Sequence, residues 1–281
     1  YLEDAHRRFS AAKCIACYSL SPGLVRGAPF NRPKPKFAAN ISTFYKEAPL
    51  IKRYRIAQQV GFRAVECQFP YDISADTLGK AKIDSGMEHV LISSHPGDLT
   101  KGELGFAAIP GCEAQFLSSL KTSIRYAKAL DCKKIHIMAG ITGPERNAAM
   151  EETYVSNLTM AAHLLEKEGI VGLIKPLCKE VQPGYFLNSY SQAVGYLEQI
   201  EQNAQSKNIR LLLDVFHLQM ISGNLQYNIS NLLSHAGYVQ IAQAPHKNEP
   251  GAPGEIDYRC ILYHIEKENY TDWIGLEYTP Q

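Results

Sequence analysis

A (β/α)8 barrel is the fold that this sequence predicts, on three observations. Eight short apolar runs of strand character recur between Phe37 and Tyr278. Segments with apolar residues at helical spacing separate them, as the outer layer of a parallel sheet requires. The stretch from Lys36 to Gln281 also matches the roughly 250 residues typical of such a barrel.

The strands follow in order. Phe37–Ile41 is the first, and FAANIST stands where a doubly wound sheet would carry a glycine-rich phosphate turn. Ala64–Phe69 and His89–Ser93 are the second and third. Before the fourth, Lys134–Met138, the residues Leu117, Leu120, Ile124 and Ala127 mark one helical face. Val155, Leu158, Ala161 and Leu165 do the same before the fifth, Gly172–Leu177. Arg210–Asp214, Tyr238–Ala242 and Trp273–Tyr278 complete the set, with seven helices expected between the eight strands. The sequence stops three residues past Tyr278, so an eighth outer helix is expected either to be cut off or to be replaced by a neighbouring subunit or the N-terminal extension. Apolar area on strands 1 and 8 would then favour a homo-oligomer covering the open face.

Residues 1–35 read as an irregular, solvated extension ahead of a single barrel domain, 36–281. They carry Arg7, Arg8, Arg26, Arg32 and Lys34, and prolines in NRPKPK that rule out regular structure. The first residue is Tyr1 rather than Met, so a preceding piece is expected.

A formal net charge of +1 gives no global attraction to nucleic acid or an anionic membrane. No apolar run approaches the roughly 20 residues of a membrane-spanning helix. Seven cysteines, an odd and scattered number, fit a reducing, intracellular and cytoplasmic setting rather than a disulfide framework. Cys14 and Cys17 form a CxxC, but no second ligand pair or strand-to-helix turn accompanies it.

In a barrel, chemistry collects where the strands end, because the loops there converge on one mouth. Asp214 ends LLLD, Gln240 sits in YVQIA and Glu277 in WIGLEY. Each has a plain structural alternative, a helix cap for Asp214 and a satisfied core amide for Gln240. Together they supply the hard oxygen ligands preferred by Mg²⁺ or Mn²⁺. Lys175 occupies the corresponding place in GLIKP.

The segments GFRAVECQFPYD, HPGDLTKGELGFAAIPG, VQIAQAPHKNEPGAPGEIDY and GLEYTPQ resemble hydroxypyruvate isomerase, within the xylose-isomerase-like barrel superfamily, from about Phe37 to the end. The resemblance implies interconversion of hydroxypyruvate and tartronate semialdehyde, a small hydroxy-oxo acid pair, through a metal-stabilised enediolate, chemistry of glyoxylate metabolism. It implies Asp214, Gln240 and Glu277 as metal ligands, with Glu277 also catalytic. His217, His246, Lys247 and Glu66 become substrate contacts, and His95 and Asp98 shape the pocket. The family's second catalytic Glu is replaced by Lys175, and a family Asn by Cys178. Three carboxylates with one dication, and Asp214 and Glu277 with Lys175, both carry one net negative charge. Lys175 is therefore expected to pair with Asp214 or Glu277 and to weaken or abolish metal binding, or to act as the missing base at a depressed pKa. The readings in competition are an active isomerase, a catalytically impaired homologue that binds a small ligand or partner, and a related sugar epimerase.

Overall fold

The computed structural model describes residues 35–143 and 146–280. The N-terminal extension and the Cys14–Cys17 pair lie outside the described residues. Eight parallel strands close a barrel in sequential order, β1 to β8, with β8 pairing back onto β1. They are β1 Lys36–Asn40, β2 Ala64–Cys67, β3 Glu88–Ser93, β4 Lys134–His136, β5 Val171–Ile174, β6 Ile209–Asp214, β7 Ala236–Ile241 and β8 Trp273–Leu276.

Helices cover the barrel: α1 Leu50–Gln59, α2 Ala75–Ser85, α3 Glu113–Ala129, α4 Ala148–Lys167, α5 Tyr190–Ala204, α6 Val215–Ile221, α7 Leu225–Leu232 and α8 Tyr258–Lys267. The expected crossovers are all present, but the one between β6 and β7 holds two short helices rather than one. Asp214 and Gly223 explain the break. Asp214 caps α6 at its start, and Gly223, at φ 60°, lets the chain turn after a short run. No helix follows β8 among the described residues. None of the described helices is long and apolar enough to cross a membrane. The five described cysteines are free thiols, three of them buried.

Strand alternation positions the site. Ala38, Ala64, Leu173, Leu212 and Tyr238 belong to a small apolar cluster that fills the barrel interior. Two residues further along β1, β2, β6 and β7, and just past β5, stand Asn40, Glu66, Asp214, Gln240 and Lys175, all buried. Period two thus stacks a polar layer on an apolar one, toward the strand C-terminal ends. The outer core between sheet and helices is apolar, built from residues such as Val65, Ile135, Leu158 and Leu211.

One buried histidine links that outer core to pH. His89 on β3 shares a 2.9 Å hydrogen bond between Nδ1 and the Tyr54 hydroxyl of α1, and its Nε2 stands 3.2 Å from the Leu91 carbonyl oxygen. Burial lowers its pKa from 6.5 to about 3. The folded pKa lies below the unfolded one, so the contribution is complete above about pH 6.5 and is lost as pH falls toward 3. Substitution His89→Asn is expected to flatten this part of the acid limb. The stability advantage of wild type over the variant should shrink by about 2 kcal/mol between pH 7.5 and pH 5 in urea melts. An unchanged difference would count against a neutral buried imidazole.

Candidate active site

The site is built around one ammonium group. Lys175 Nζ donates to Glu277 Oε2 at 2.7 Å and to Gln240 Oε1 at 2.9 Å, and lies 3.7 Å from Asp214 Oδ2. The side chains are 5%, 3% and 0% exposed for Lys175, Glu277 and Asp214. An ion pair so thoroughly removed from water needs its remaining valences filled. The neighbours supply most of them, Asp214 Oδ2 excepted.

Gln240 is oriented from behind. Glu66 Oε1 accepts from Gln240 Nε2 at 2.8 Å and from Asn40 Nδ2 at 2.9 Å, which turns the Gln240 oxygen toward Lys175. Glu66 leans across to β8, where Gly275 leaves space: a Cβ there would come within 2.2 Å of Glu66 Oε2. Burial, then the charge of Glu277, raises the Glu66 pKa to about 7. Glu277 Oε1 accepts from Gln68 Nε2 at 2.5 Å and faces Lys247 Nζ at 3.5 Å.

Asp214 performs two tasks at once. Its Oδ1 accepts from the backbone N–H groups of Phe216 and His217, capping α6. Its Oδ2 has no hydrogen-bond partner and faces Lys175. Helix capping and site chemistry, alternatives in the sequence, coexist on opposite oxygens.

Electrostatics set the protonation states. Burial opposes the charge on Lys175, but Glu277 and Asp214 outweigh it and hold the lysine pKa above its usual value. This overturns the expectation of a depressed lysine acting as base. Burial likewise works to raise Glu277, yet Lys175 and then Lys247 pull its carboxyl well below the usual range. Asp214 is raised, burial dominating over Lys175.

Above this layer opens a cavity of about 200 Å³, lined by Gln68, His136, Lys175, His217, Lys247 and Glu277 among others. His217 Nδ1 accepts from the Cys178 N–H at 3.0 Å, so in the neutral ring Nε2 carries the proton. Burial, then Lys247 and Lys175, keep that ring neutral. Burial and then Lys175 lower the His136 pKa to about 3. Both Nε2 atoms are buried without a partner. The cavity therefore offers one partly exposed cation, Lys247, a buried ammonium and two neutral imidazole edges.

The loop after β7 aims Lys247. Gln243 Nε2 donates to the carbonyls of Pro250, Ala252 and Ile256, and its Oε1 accepts from the N–H groups of Ala244 and Ile256. Lys247 itself adopts φ 52° and accepts from the Thr279 N–H, tying the loop to the exit of β8. His246, expected to contact substrate, is exposed and does not line the cavity. Glu66, expected at the mouth, lies buried behind Gln240. His95 and Asp98, expected to shape the pocket, do not line the cavity: His95 Nδ1 accepts from the Gly97 N–H, and Asp98 caps a short 3-10 turn at Leu99–Lys101. Gln68 and His136 were not singled out from the sequence, although Gln68 stands two residues after Glu66 and so keeps its parity.

The residues present do not fit a divalent ion beside this lysine. The three oxygens that would ligate it point at Nζ, so a dication among them would sit against a buried ammonium. Among the described residues no three His, Cys, Asp or Glu side chains stand together as a metal cluster.

Comparison with known proteins gives one consistent picture. A family model for the xylose isomerase-like TIM barrel matches residues 54–281. A Danio rerio relative, named provisionally as a hydroxypyruvate isomerase, is 44% identical over 88% of this chain and 90% of its own length. Hydroxypyruvate isomerase of Escherichia coli (strain K12) is 36% identical over 88% of this chain and 94% of its own. A Brucella melitensis crystal structure, described as AP endonuclease, family 2, is 37% identical, with a TM-score of 0.84 over 88% of this chain and 94% of its own.

Proposed function

We propose, from the premise that this chain belongs to the xylose isomerase-like TIM barrel family and stands among its hydroxypyruvate isomerases, that its mouth binds a small hydroxy-oxo acid without converting it. At family level the chain is an isomerase. The observation that carries the reading is the cavity of about 200 Å³ with Lys247 at its edge and Lys175 at its floor. That volume is below the roughly 300–1,000 Å³ of sites for drug-sized ligands, and suits an acid of three or four carbons. Lys247 would take the carboxylate as a point charge, and the His217 Nε2–H would donate to an oxo or hydroxyl oxygen.

Isomerisation of hydroxypyruvate asks for more. A proton must leave C3 and another the C3 hydroxyl, charge must be held on the two oxygens as an enediolate, and protons must be delivered to C2 and its oxygen. The base that accepts the C3 proton works best with a pKa near the working pH. Glu277 is drawn far below that by Lys175 and Lys247, and Lys175 holds its own proton. Neutral His136, at about 3, is a weak base as well. Among the groups that line the cavity, this arrangement supports recognition better than it supports proton transfer.

Calorimetric titration with hydroxypyruvate is expected to show one site per chain, while coupled assays with added Mg²⁺ show no turnover. Removal of the cation in Lys247→Met should weaken binding about ten- to hundredfold, the worth of a hydrogen bond to a charged group. Turnover by the wild type at ordinary enzymatic rates, or no heat of binding at all, would overturn the reading.

A further inference from the structure

Three oxygens meet at one point in the floor of the cavity, and each has a reason to be there that is independent of the others. Asp214 is anchored by its α6 cap, which leaves Oδ2 without a hydrogen bond. Gln240 is turned by Glu66, whose Oε1 accepts from Nε2 and so sends Oε1 of Gln240 inward. Glu277 is held by Gln68 on Oε1, which presents Oε2. A fixed set of two carboxylates and an amide oxygen is a hard-cation cradle. Its occupant is Lys175 Nζ, at 2.7, 2.9 and 3.7 Å.

We infer that the Lys175 ammonium is the resident cation of this site, and that it excludes a divalent ion which the surrounding cradle would otherwise hold. A monovalent ammonium reaches the oxygens from β5 on its own tether, so no free ion has to be captured from solution. A dication placed among the same oxygens would sit against Nζ, and like charges in a buried site repel strongly. The cradle itself is unspoiled: its three oxygens, their anchors and the glycine that accommodates Glu66 are all in place. One side chain alone separates an ammonium site from a metal site. The inference concerns the same cavity as the ligand reading but rests on geometry alone, so a failure of hydroxypyruvate to bind would leave it intact.

Metal content and Mn²⁺-dependent melting of the full chain test it. Wild type purified with Mg²⁺ and Mn²⁺ in all buffers, then desalted, should carry far less than one equivalent of either by elemental analysis. Its melting temperature should not respond to 1 mM MnCl₂. Lys175→Gln, close in length and uncharged, removes the ammonium without adding a carboxylate. Lys175→Glu completes the family's carboxylate set and is prepared with Mn²⁺ present throughout, since three buried carboxylates without a cation would disfavour folding. Both variants should be stabilised by Mn²⁺, Lys175→Glu more strongly. If its dissociation constant is near 10 µM, the rise in melting temperature at 1 mM should be about 5–10 °C. Stoichiometric tightly held dication in wild type would overturn the inference. So would the absence of any Mn²⁺ response in folded Lys175→Gln together with no metal retained by Lys175→Glu.

Discussion

Lys175→Met is expected to lower the unfolding free energy by about 3–5 kcal/mol, because it leaves two buried carboxylates facing each other with no buried cation between them. Asp214 Oδ2 already lacks a hydrogen bond, and Glu277 Oε2 would lose its donor. Lys247, partly exposed and 3.5 Å from the other Glu277 oxygen, cannot compensate for both. The effect has a pH signature. Lys175 holds the Glu277 pKa below its unfolded value of 4.5, a contribution fully present above that pH and lost as pH falls through the folded pKa. The deficit of the variant should therefore be greatest at neutral pH and shrink below about pH 4.5, where its carboxylates protonate more readily than in wild type. Urea melts of both proteins at pH 7 and pH 4 would show it. Equal stability at pH 7 would mean that the ion pair contributes nothing net.

Gly275→Ala should be more damaging than a methyl group added at either of the other strand glycines, Gly172 and Gly237. The new Cβ would meet Glu66 Oε2 at 2.2 Å, its Cδ at 2.7 Å and its Oε1 at 2.9 Å. Glu66 cannot swing aside without giving up Asn40 and Gln240, and Gln240 in turn orients toward Lys175. Overpacking a rigid core costs about 1–3 kcal/mol, and here the lost hydrogen bonds place the expected cost at about 3 kcal/mol or more. A second change, Glu66→Ala, clears the space. The double variant is expected to be more stable than Gly275→Ala alone, a reversal of sign that a double-mutant cycle in urea would register. Strictly additive losses would mean that the two side chains do not contend for one volume.

What was legible in the sequence follows from periodicity. Asp214 and Gln240 stand two residues beyond Leu212 and Tyr238, so the alternation that marks the strands also assigns their side chains to the interior. Lys175 and Glu277 lie one residue past their strands and keep the same parity. A pairing of Lys175 with Asp214 or Glu277 is foreseeable from charge alone, since an isolated ammonium on an apolar strand end must find a counter-ion. The hidden part depends on tertiary distance. Whether Glu66 reaches the cavity is decided by Gly275, more than two hundred residues away in sequence, and by Asn40 on the adjoining strand. His246 and Lys247 are neighbours in sequence, but a left-handed turn at Lys247 sends one toward the cavity and leaves the other exposed. His136 ends a strand of only three residues, too short for alternation to declare a face. The two helices between β6 and β7 do not separate in the sequence, because a helix cap at Asp214 stands there only as the alternative to site chemistry.

The two-sided use of Asp214 has an evolutionary consequence. Once an ammonium holds the centre, selection for folding preserves Asp214, Gln240 and Glu277 whether or not any reaction is catalysed, since the loss of one strands the rest without partners. Residues that look like relics of an active ancestor would then be maintained as structural parts. Glutamate and lysine codons differ by a single first-position base, so such a lineage would stay one mutation from a carboxylate at position 175. Stability would act here as a ratchet with a release, guarding the site against decay while leaving the way back open.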